Sequence, residues 1–369
     1  MKKYKIFVIN PGSTSTKLAL FENEHKILET NVFHDSSVLL QFPTVNAQLP
    51  YRKKVIMDFL SENRIDLSDV DAIVGRGGSC YPVASGVYVI DDKLIEDTAA
   101  GKGGMEHPSN LGVQLARELQ KEFGGRIFMV DPPCVDELCD MARMTGIDGV
   151  PRHTNMHALN LRGVAMHHAK HVLGKKYEDC CFIVCHIDGG ISVSAHRKGR
   201  IIDCNDAAGG DGPYTPTRIG SVSVADILEY VRDKDIDEVK KLCTRTGGFV
   251  SHFGTSSSDT VHKMAEEGNK KAVRVWNGMK YQIVKYIGAM ATVLGGRVDG
   301  ILLTGGLLRF EDIAQTIREQ CEWIAPVSLY PGEVEHEAMA AGALRVLRGE
   351  EEPKRYTGRP VWDGWHDED

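Results

Sequence analysis

The chain has 369 residues, enough for two domains of ordinary size, and its 42% hydrophobic and 26% charged residues are those of a globular chain rather than a disordered or membrane-spanning one. A formal net charge of −7 argues against general attraction to nucleic acid or to an anionic membrane, leaving only local basic sites. Nine cysteines without a C-x-x-C pair, several of them in apolar runs (Cys180, Cys181, Cys185), read as reduced thiols; with no room for a signal peptide and no membrane-length apolar run, a cytoplasmic location is expected.

Residues 5–20, KIFVINPGSTSTKLAL, open the fold. Ile6, Phe7, Val8 and Ile9 form the short continuous apolar run of a strand buried on both faces, and Pro11 and Gly12 stop it. In the turn beyond them, Asn10, Ser13, Thr14, Ser15 and Thr16 gather amide, hydroxyl and N–H donors, and Lys17 adds a positive charge. Such a turn suits a phosphate; the alternative is an ordinary hairpin loop with polar filler. A second hairpin comes next, its clearest strand at 26–33, then a helix over 51–63 with Val55, Ile56, Phe59 and Leu60 on one face. A short buried strand at 72–74 ends in Gly75-Arg76-Gly77-Gly78. Glycines on both sides free Arg76 to reach into a cleft toward a phosphate or carboxylate, unless this is a plain surface turn.

The loop through Gly101–Gly104 and His107-Pro108-Ser109 leads to a helix over 110–123 with Ser109 as its N-cap. A strand at 126–130 ends at Asp131-Pro132-Pro133, placing Asp131 at a carboxyl end, where open α/β sheets site their ligands. The plainer reading of Asp131 is an Asx turn before a helix begun by Val135 and Leu138. The polar, irregular stretch 146–155, holding Arg152 and His153, is the expected domain boundary. A helix over 157–173 carries His157, His167, His168 and His171. His167 and His171 share a face, but without a third ligand or an H-E-x-x-H pattern a solvated face is the better reading.

Near mid-chain the opening pattern returns. CFIVCHIDGGISVSA (181–195) is again an apolar strand, a glycine-bearing turn and an alternating strand, and VDGILLTGGLLRF (298–310) runs a strand into Thr304-Gly305-Gly306. Three such turns, two of them half a chain apart, predict a duplicated α/β domain with phosphate or nucleotide groups in the cleft between the halves. Neither a G-x-x-x-x-G-K-[ST] loop nor a G-x-G-x-x-G fingerprint occurs. A helix over 270–294 carries an apolar stripe from Val273 to Val293 that reads as domain core or subunit contact. An alanine-rich helix over 337–347 precedes a surface tail, 356–369, with Trp362, Trp365 and a closing acidic run.

The turns N-P-G-S-x-S-x-K at 10–17, H-I-D-G-G-I-S at 186–192 and L-L-T-G-G at 302–306 resemble the two phosphate motifs and the adenosine motif of the acetate and sugar kinase, Hsp70 and actin superfamily. Within it the chain is similar to the acetokinase family of carboxylate kinases. Residues 186–200, DGPYTPTRIGS (211–221) and PGEVEHEAMAAGALRVL (331–347) resemble its butyrate kinase branch more than its acetate kinase branch, and the motifs keep the family's order over nearly the whole chain. The resemblance implies an α/β fold of two duplicated ribonuclease-H-like (actin-like ATPase) domains with a nucleotide cleft between them. These are 1–150, completed by 338–369, and 151–337, closing over the nucleotide. It further implies Mg²⁺-dependent transfer between ATP and butyrate or a related short or branched carboxylate, giving an acyl phosphate and ADP. An acetate, propionate or isobutyrate preference, a non-catalytic nucleotide-binding regulator, and an ATPase of the chaperone or actin kind are the alternatives.

By the same resemblance, Asn10, Ser13, Ser15, Lys17, Gly189, Gly190, Gly305 and Gly306 hold the nucleotide. Arg76 and Arg218 orient the carboxylate and stabilise the transferring group, to which His157 and His186 donate N–H. Asp131 matches the family's catalytic aspartate and acts through the metal and its waters, because a carboxylate nucleophile needs no general base. Glu337 matches the metal-associated glutamate and, with Asn10, holds Mg²⁺ through water. The expected partners are a small carboxylate or acyl phosphate and further copies of the chain in a homodimer or larger oligomer, with neither nucleic acid nor membrane. Asp188 departs from the pattern, standing where a small residue is usual two places after the histidine. A carboxylate facing ATP phosphates repels them, so Asp188 is either a metal-side ligand or points away.

Overall fold

The computed structural model describes residues 2–104 and 107–365; the acidic end of the tail, 366–369, lies outside the described residues. The chain divides into two units, Met1–Asp136 with Val334–Asp369, and Glu137–Glu333. The polar stretch 146–155 therefore lies inside the second unit instead of at a boundary. Its Arg152 is tied into that unit by Asp203 and Asp211, each at 3.3 Å, so a polar, irregular composition there marks partly buried ion pairing and not a linker. The return to the first unit comes at Val334, a few residues before the expected 338.

In the first unit β1 (Lys5–Pro11), β2 (Ser15–Glu22) and β3 (His25–Phe33) form an antiparallel meander. β4 (Ala72–Gly75) runs parallel to β1, β5 (Val87–Val89) lies at the edge, and β6 (Arg126–Val130) runs parallel to β4, giving the order β3-β2-β1-β4-β6-β5. Phe7, Ile9, Ile73, Ile127 and Met129 share a core with Ile56 of the helix Leu49–Glu62 and with Leu111 and Leu115 of the helix Leu111–Phe123. The helix Glu335–Leu347 packs on the same strands, and it comes so close that a Cβ on Gly342 would lie 2.8 Å from Val130. Two local expectations change. A single 3-10 turn, Pro108–Asn110, precedes the helix Leu111–Phe123, and Ser109 does not cap it: its N–H donates to His107 Nδ1 at 3.1 Å. Val135 starts no helix but bridges to Val83: its N–H donates to Pro132 O in the turn, and the Asp136 N–H donates to Val83 O.

The second unit repeats the arrangement. β7 (Cys181–Ile187), β8 (Ile191–Arg197) and β9 (Arg200–Cys204) form the antiparallel meander, and β10 (Gly300–Gly305) and β11 (Val327–Pro331) extend it in parallel on the other side of β7. The order β9-β8-β7-β10-β11 reproduces β3-β2-β1-β4-β6 strand for strand. The helix Lys270–Val293 buries Val275, Trp276, Met279, Ile283, Ile287 and Met290 against Ile183, Cys185, Ile301 and Leu303, so its apolar stripe is core. All nine cysteines are free thiols. Among the described residues no helix is long and apolar enough to cross a membrane.

Candidate active site

Parallel pairing gathers the chemistry of each unit at one edge of its sheet. Because β4 and β6 run with β1, the β1–β2 turn, Arg76 after β4 and Asp131 after β6 all lie at the carboxyl ends of their strands.

In the first turn the Gly12 N–H donates to Ser15 O at 2.8 Å, leaving Ser13 and Thr14 exposed. Beneath it lies Arg52, wholly buried. Its Nη2 donates to Gly12 O (2.9 Å), its Nη1 to Ser15 O (3.1 Å) and Thr16 Oγ1 (3.0 Å), and its Nε to Gln48 Oε1 (3.0 Å). Every acceptor is neutral, and burial brings the guanidinium down to about 10 while leaving it a cation at neutral pH. Lys17 faces Asn10 across the β1–β2 register. The Asn10 amide donates to Glu335 Oε2 at 2.7 Å, and Glu335 Oε1 pairs with Arg76 Nη2 at 2.9 Å. Arg76 Nη1 is buried with no hydrogen-bond partner among the described residues. The glycine before Arg76 is a packing requirement, since a Cβ on Gly75 would collide with the carbonyl of Gly112.

Glu337, the expected metal-associated residue, is elsewhere. It is half-exposed and pairs with Lys26 at 2.7 Å, whereas Glu335 meets Asn10 and Arg76. Residues two apart on a helix point some 200° apart, at about 100° per residue, so both cannot serve one site. Glu333, Glu335 and Glu337 alternate in PGEVEHE, and the phase that selects Glu335 depends on where the helix starts. Asp131 is buried at a positive φ of 37°; its Oδ1 accepts from Gly86 N–H at 2.6 Å, and its own N–H returns a bond to Gly86 O at 3.1 Å. His107, passed over in the sequence as part of a loop, places Nε2 3.5 Å from Ser13 Oγ. Its imidazole is held below the ordinary value by desolvation and then by the Arg76 and Arg52 cations.

In the second unit the β7–β8 turn, Gly305-Gly306 after β10 and Glu333 after β11 occupy the corresponding edge. Glycine here is a matter of space. A Cβ on Gly190 would lie 2.6 Å from Arg218 Nη1, 2.8 Å from its Cζ and 2.9 Å from His157 Cε1. Arg218 is anchored by one donation to Ala207 O, and its Nε is buried without a partner among the described residues. Burial lowers its pKa, and the Asp206 carboxylate works in the opposite direction. Thr215 and Thr217 hydroxyls hold Gly189 O at 2.7 and 3.2 Å, which ties the segment leading to Arg218 onto the turn. His157 and His186 stack with centroids 4.0 Å apart; His157 Nδ1 lies 2.9 Å from Ser192 Oγ and His186 Nδ1 lies 2.7 Å from Asn160 Nδ2.

Asp188 turns to the protein. Its Oδ1 accepts from Gly189 N–H and its Oδ2 from Gly306 N–H, both at 2.8 Å, clamping the second turn to the third. A Cβ on Gly306 would lie 2.6 Å from that carboxylate, so the small residue at the third turn makes room for the clamp. His186, Asp188 and Glu333 bring ligand atoms within 4.8 Å of one another; among the described residues no such grouping forms at His167 and His171, whose rings lie 4.7 Å apart. The structure therefore brings Asn10, Ser13, Ser15, Lys17, Arg76 and Asp131 to one edge of the first unit. It brings His157, His186, Gly189, Gly190, Arg218, Gly305 and Gly306 to the equivalent edge of the second.

Residues 150–341 match the model of the acetokinase family. The chain is 42% identical over 355 residues to a probable butyrate kinase of Clostridium botulinum, covering 96% of this chain and 99% of that one. It is 41% identical, over the same shares, to butyrate kinase 1 of Clostridium acetobutylicum. In structure it resembles the acetate kinase of Porphyromonas gingivalis (TM-score 0.72, 19% identity, 94% and 100% of the two chains). It also resembles a propionate kinase of Francisella tularensis (TM-score 0.71, 17% identity, 92% and 98%). At these identities the structural likeness speaks for the fold, two α/β units of the actin-like ATPase type.

Proposed function

The chain belongs to the acetokinase family, and from that premise we propose that it is a carboxylate kinase that moves a phosphoryl group between ATP and butyrate or a close short-chain relative. The observation that carries phosphoryl chemistry is the pair of arginines. Arg76 Nη1 and Arg218 Nε are buried N–H donors without acceptors among the described residues, and a buried unsatisfied donor costs about 1–3 kcal/mol or more when charged, which a bound anion removes. The carboxylate class and its chain length rest on the relatives' names.

In the reaction a carboxylate oxygen forms a bond to the γ-phosphorus as the bond to the β,γ-bridging oxygen breaks, and ADP leaves; no proton moves. Arg76, its other nitrogen steadied by Glu335, orients the substrate carboxylate. Arg218 at Gly190 and the N–H groups of the His157–His186 pair stabilise the charge that spreads over the phosphoryl oxygens. The Ser13–Lys17 turn, with the Arg52 cation beneath it, and the turns Gly189-Gly190 and Gly305-Gly306 steady the nucleotide's phosphates and adenosine. For Mg²⁺ the fitting donors are oxygens: the Asn10 carbonyl, Glu335 and Asp131, acting through water, in place of Glu337. When bound, Mg²⁺ would neutralise charge on the transferring oxygens. Free cysteines throughout support a reducing, cytoplasmic setting, and a homo-oligomer belongs to the same reading.

Incubation with Mg-ATP, hydroxylamine and acetate, propionate, butyrate, isobutyrate or valerate traps any acyl phosphate as a hydroxamate. The highest kcat/KM is expected with butyrate or isobutyrate, each methylene in an apolar pocket being worth about 1–3 kcal/mol. No hydroxamate from any of the five would overturn the proposal.

A further inference from the structure

We infer that Asn160 and Thr304 are positioning residues that decide which nitrogen of His186 carries the proton, presenting His186 as an Nε2–H donor. Geometry alone fixes the ring's proton; its meaning for catalysis rests on the carboxylate kinase reading.

A chain of hydrogen bonds leads to the ring from a group that has no choice. The Gly332 carbonyl can only accept, and it is held in place by the Gly305–Gly332 bridge at the ends of β10 and β11, where it takes the Gly305 N–H at 2.9 Å. Thr304 Oγ1 donates to the same carbonyl at 2.9 Å, which commits the hydroxyl's only proton. Toward Asn160 the hydroxyl must therefore accept, and it receives Asn160 Nδ2–H at 3.1 Å. That sets the amide's orientation, NH₂ toward Thr304 and not C=O. The same Nδ2 lies 2.7 Å from His186 Nδ1. An amide nitrogen has no lone pair to offer, so Nδ1 is the acceptor and the neutral ring carries its proton on Nε2. Asn160 and Thr304 are fully buried and His186 is nearly so, which keeps water from substituting for any link.

This tautomer has two effects. His186 meets a phosphoryl oxygen as a donor, in the sense transfer requires. It is also the wrong tautomer to ligate a metal through Nε2, so the grouping with Asp188 and Glu333 offers two carboxylates and no imidazole lone pair. Asp188 is occupied as a clamp in any case.

The test is ¹⁵N NMR of the full chain with ring-labelled histidine, the His186 signals being assigned by their loss in His186→Gln. The wild type is expected to show neutral His186 protonated at Nε2. Asn160→Asp, which puts carboxylate oxygens in place of the amide donor, is expected to bring a proton to Nδ1 and to lower kcat roughly 10- to 100-fold while the KM for ATP changes much less. Thr304→Val, which frees the amide to turn over, is expected to give a mixture of both tautomers. Wild-type His186 found protonated at Nδ1 or as imidazolium, or an unchanged ring in Asn160→Asp, overturns the inference. Should Asn160→Asp not fold, the wild-type and Thr304→Val spectra decide alone. Hydroxamate formation is read separately: its absence beside an Nε2–H ring removes the kinase reading and leaves the tautomer, and its presence beside an Nδ1–H ring does the reverse.

Discussion

The β1–β2 and β7–β8 turns hold the same place in two sheets of the same strand order, yet each meets its guanidinium differently. Arg52 lies under the first turn and is consumed by it, giving its donors to Gly12 O, Ser15 O and Thr16 Oγ1. Arg218 stands where the side chain of Gly190 would be, and its buried Nε–H has no partner among the described residues. A Cβ added at Gly12 would meet nothing nearer than Ser15 O at 3.5 Å, whereas at Gly190 it would overlap the side chains of Arg218 and His157. A duplicated backbone thus carries the position of a turn and not its task. One cation is a buttress that charges the first turn from below; the other is the one proposed to serve the reaction.

Removing each cation in turn should separate the two roles most strongly. Arg52→Met leaves carbonyls and a hydroxyl without their donor and should lower the unfolding free energy by about 3 kcal/mol, read by urea titration. Arg218→Met should move the urea midpoint far less while abolishing most hydroxamate formation. If both variants lose stability equally, the two arginines have the same job.

Next in size is the pair of glycines. Gly190→Ala displaces the guanidinium end of Arg218 and the His157 ring, so kcat should fall on the order of 10²-fold with little change in melting temperature. Gly12→Ala, where only an ordinary contact is made, should stay within roughly threefold of wild type. Equal losses at the two positions would erase the distinction.

A third test separates two glutamates on one helix. Glu335→Gln should cost roughly tenfold in activity and raise the Mg²⁺ concentration needed, because it removes the charge opposite Arg76 and one of the two oxygens shared by Arg76 and Asn10. Glu337→Gln breaks only a half-exposed pair with Lys26, of a kind worth about 0–1 kcal/mol, and should leave kinetics nearly unchanged. The reverse order would return Glu337 to the metal.

The gentlest effect is on pH dependence, and each unit carries its own version. His34, between Thr16 Oγ1 and Tyr51, is pushed down to about 4 by burial and by Arg52. His196, between Tyr177 and Ser194, is pushed down to about 3 by burial and by Arg162. Both rings are neutral in the folded chain and gain a proton near 6.5 once unfolded. Their contribution is complete above pH 6.5 and drains away as pH falls toward 4 and then 3. Urea midpoints measured from pH 7 to 4 should fall, and His34→Gln or His196→Gln should flatten the slope; an unaltered slope would show that neither histidine drives it.

Much of the fold was legible because strands buried on both faces announce themselves as unbroken apolar runs. Residues 6–9, 127–130 and 181–185 are such runs, and all three fall in strands. The repeated strand–turn–strand likewise carried the duplication. Less was legible of the site. Arg52 sits in YRKK, where composition suggests a solvated cationic face, yet three-dimensional packing folds it under the first turn. Asn160 looks like any polar helix residue until His186 and Thr304, 26 and 144 residues away, are brought to it.

The order of residues by itself determines local matters: where backbone hydrogen bonds must be satisfied in apolar surroundings, where glycine or proline interrupts them, and hence which turns exist. That much yields the two meanders, the three small-residue turns and the arginine and histidines beside them. Which face of a helix meets a turn, and so whether Glu335 or Glu337 serves Asn10, depends on a rotation of about 100° per residue counted from a helix start that packing sets. Whether Asp188 holds a metal or clamps Gly306 depends in the same way on a partner 118 residues distant. Those choices belong to tertiary structure, because a side chain's chemistry is spent on whichever neighbours the fold delivers.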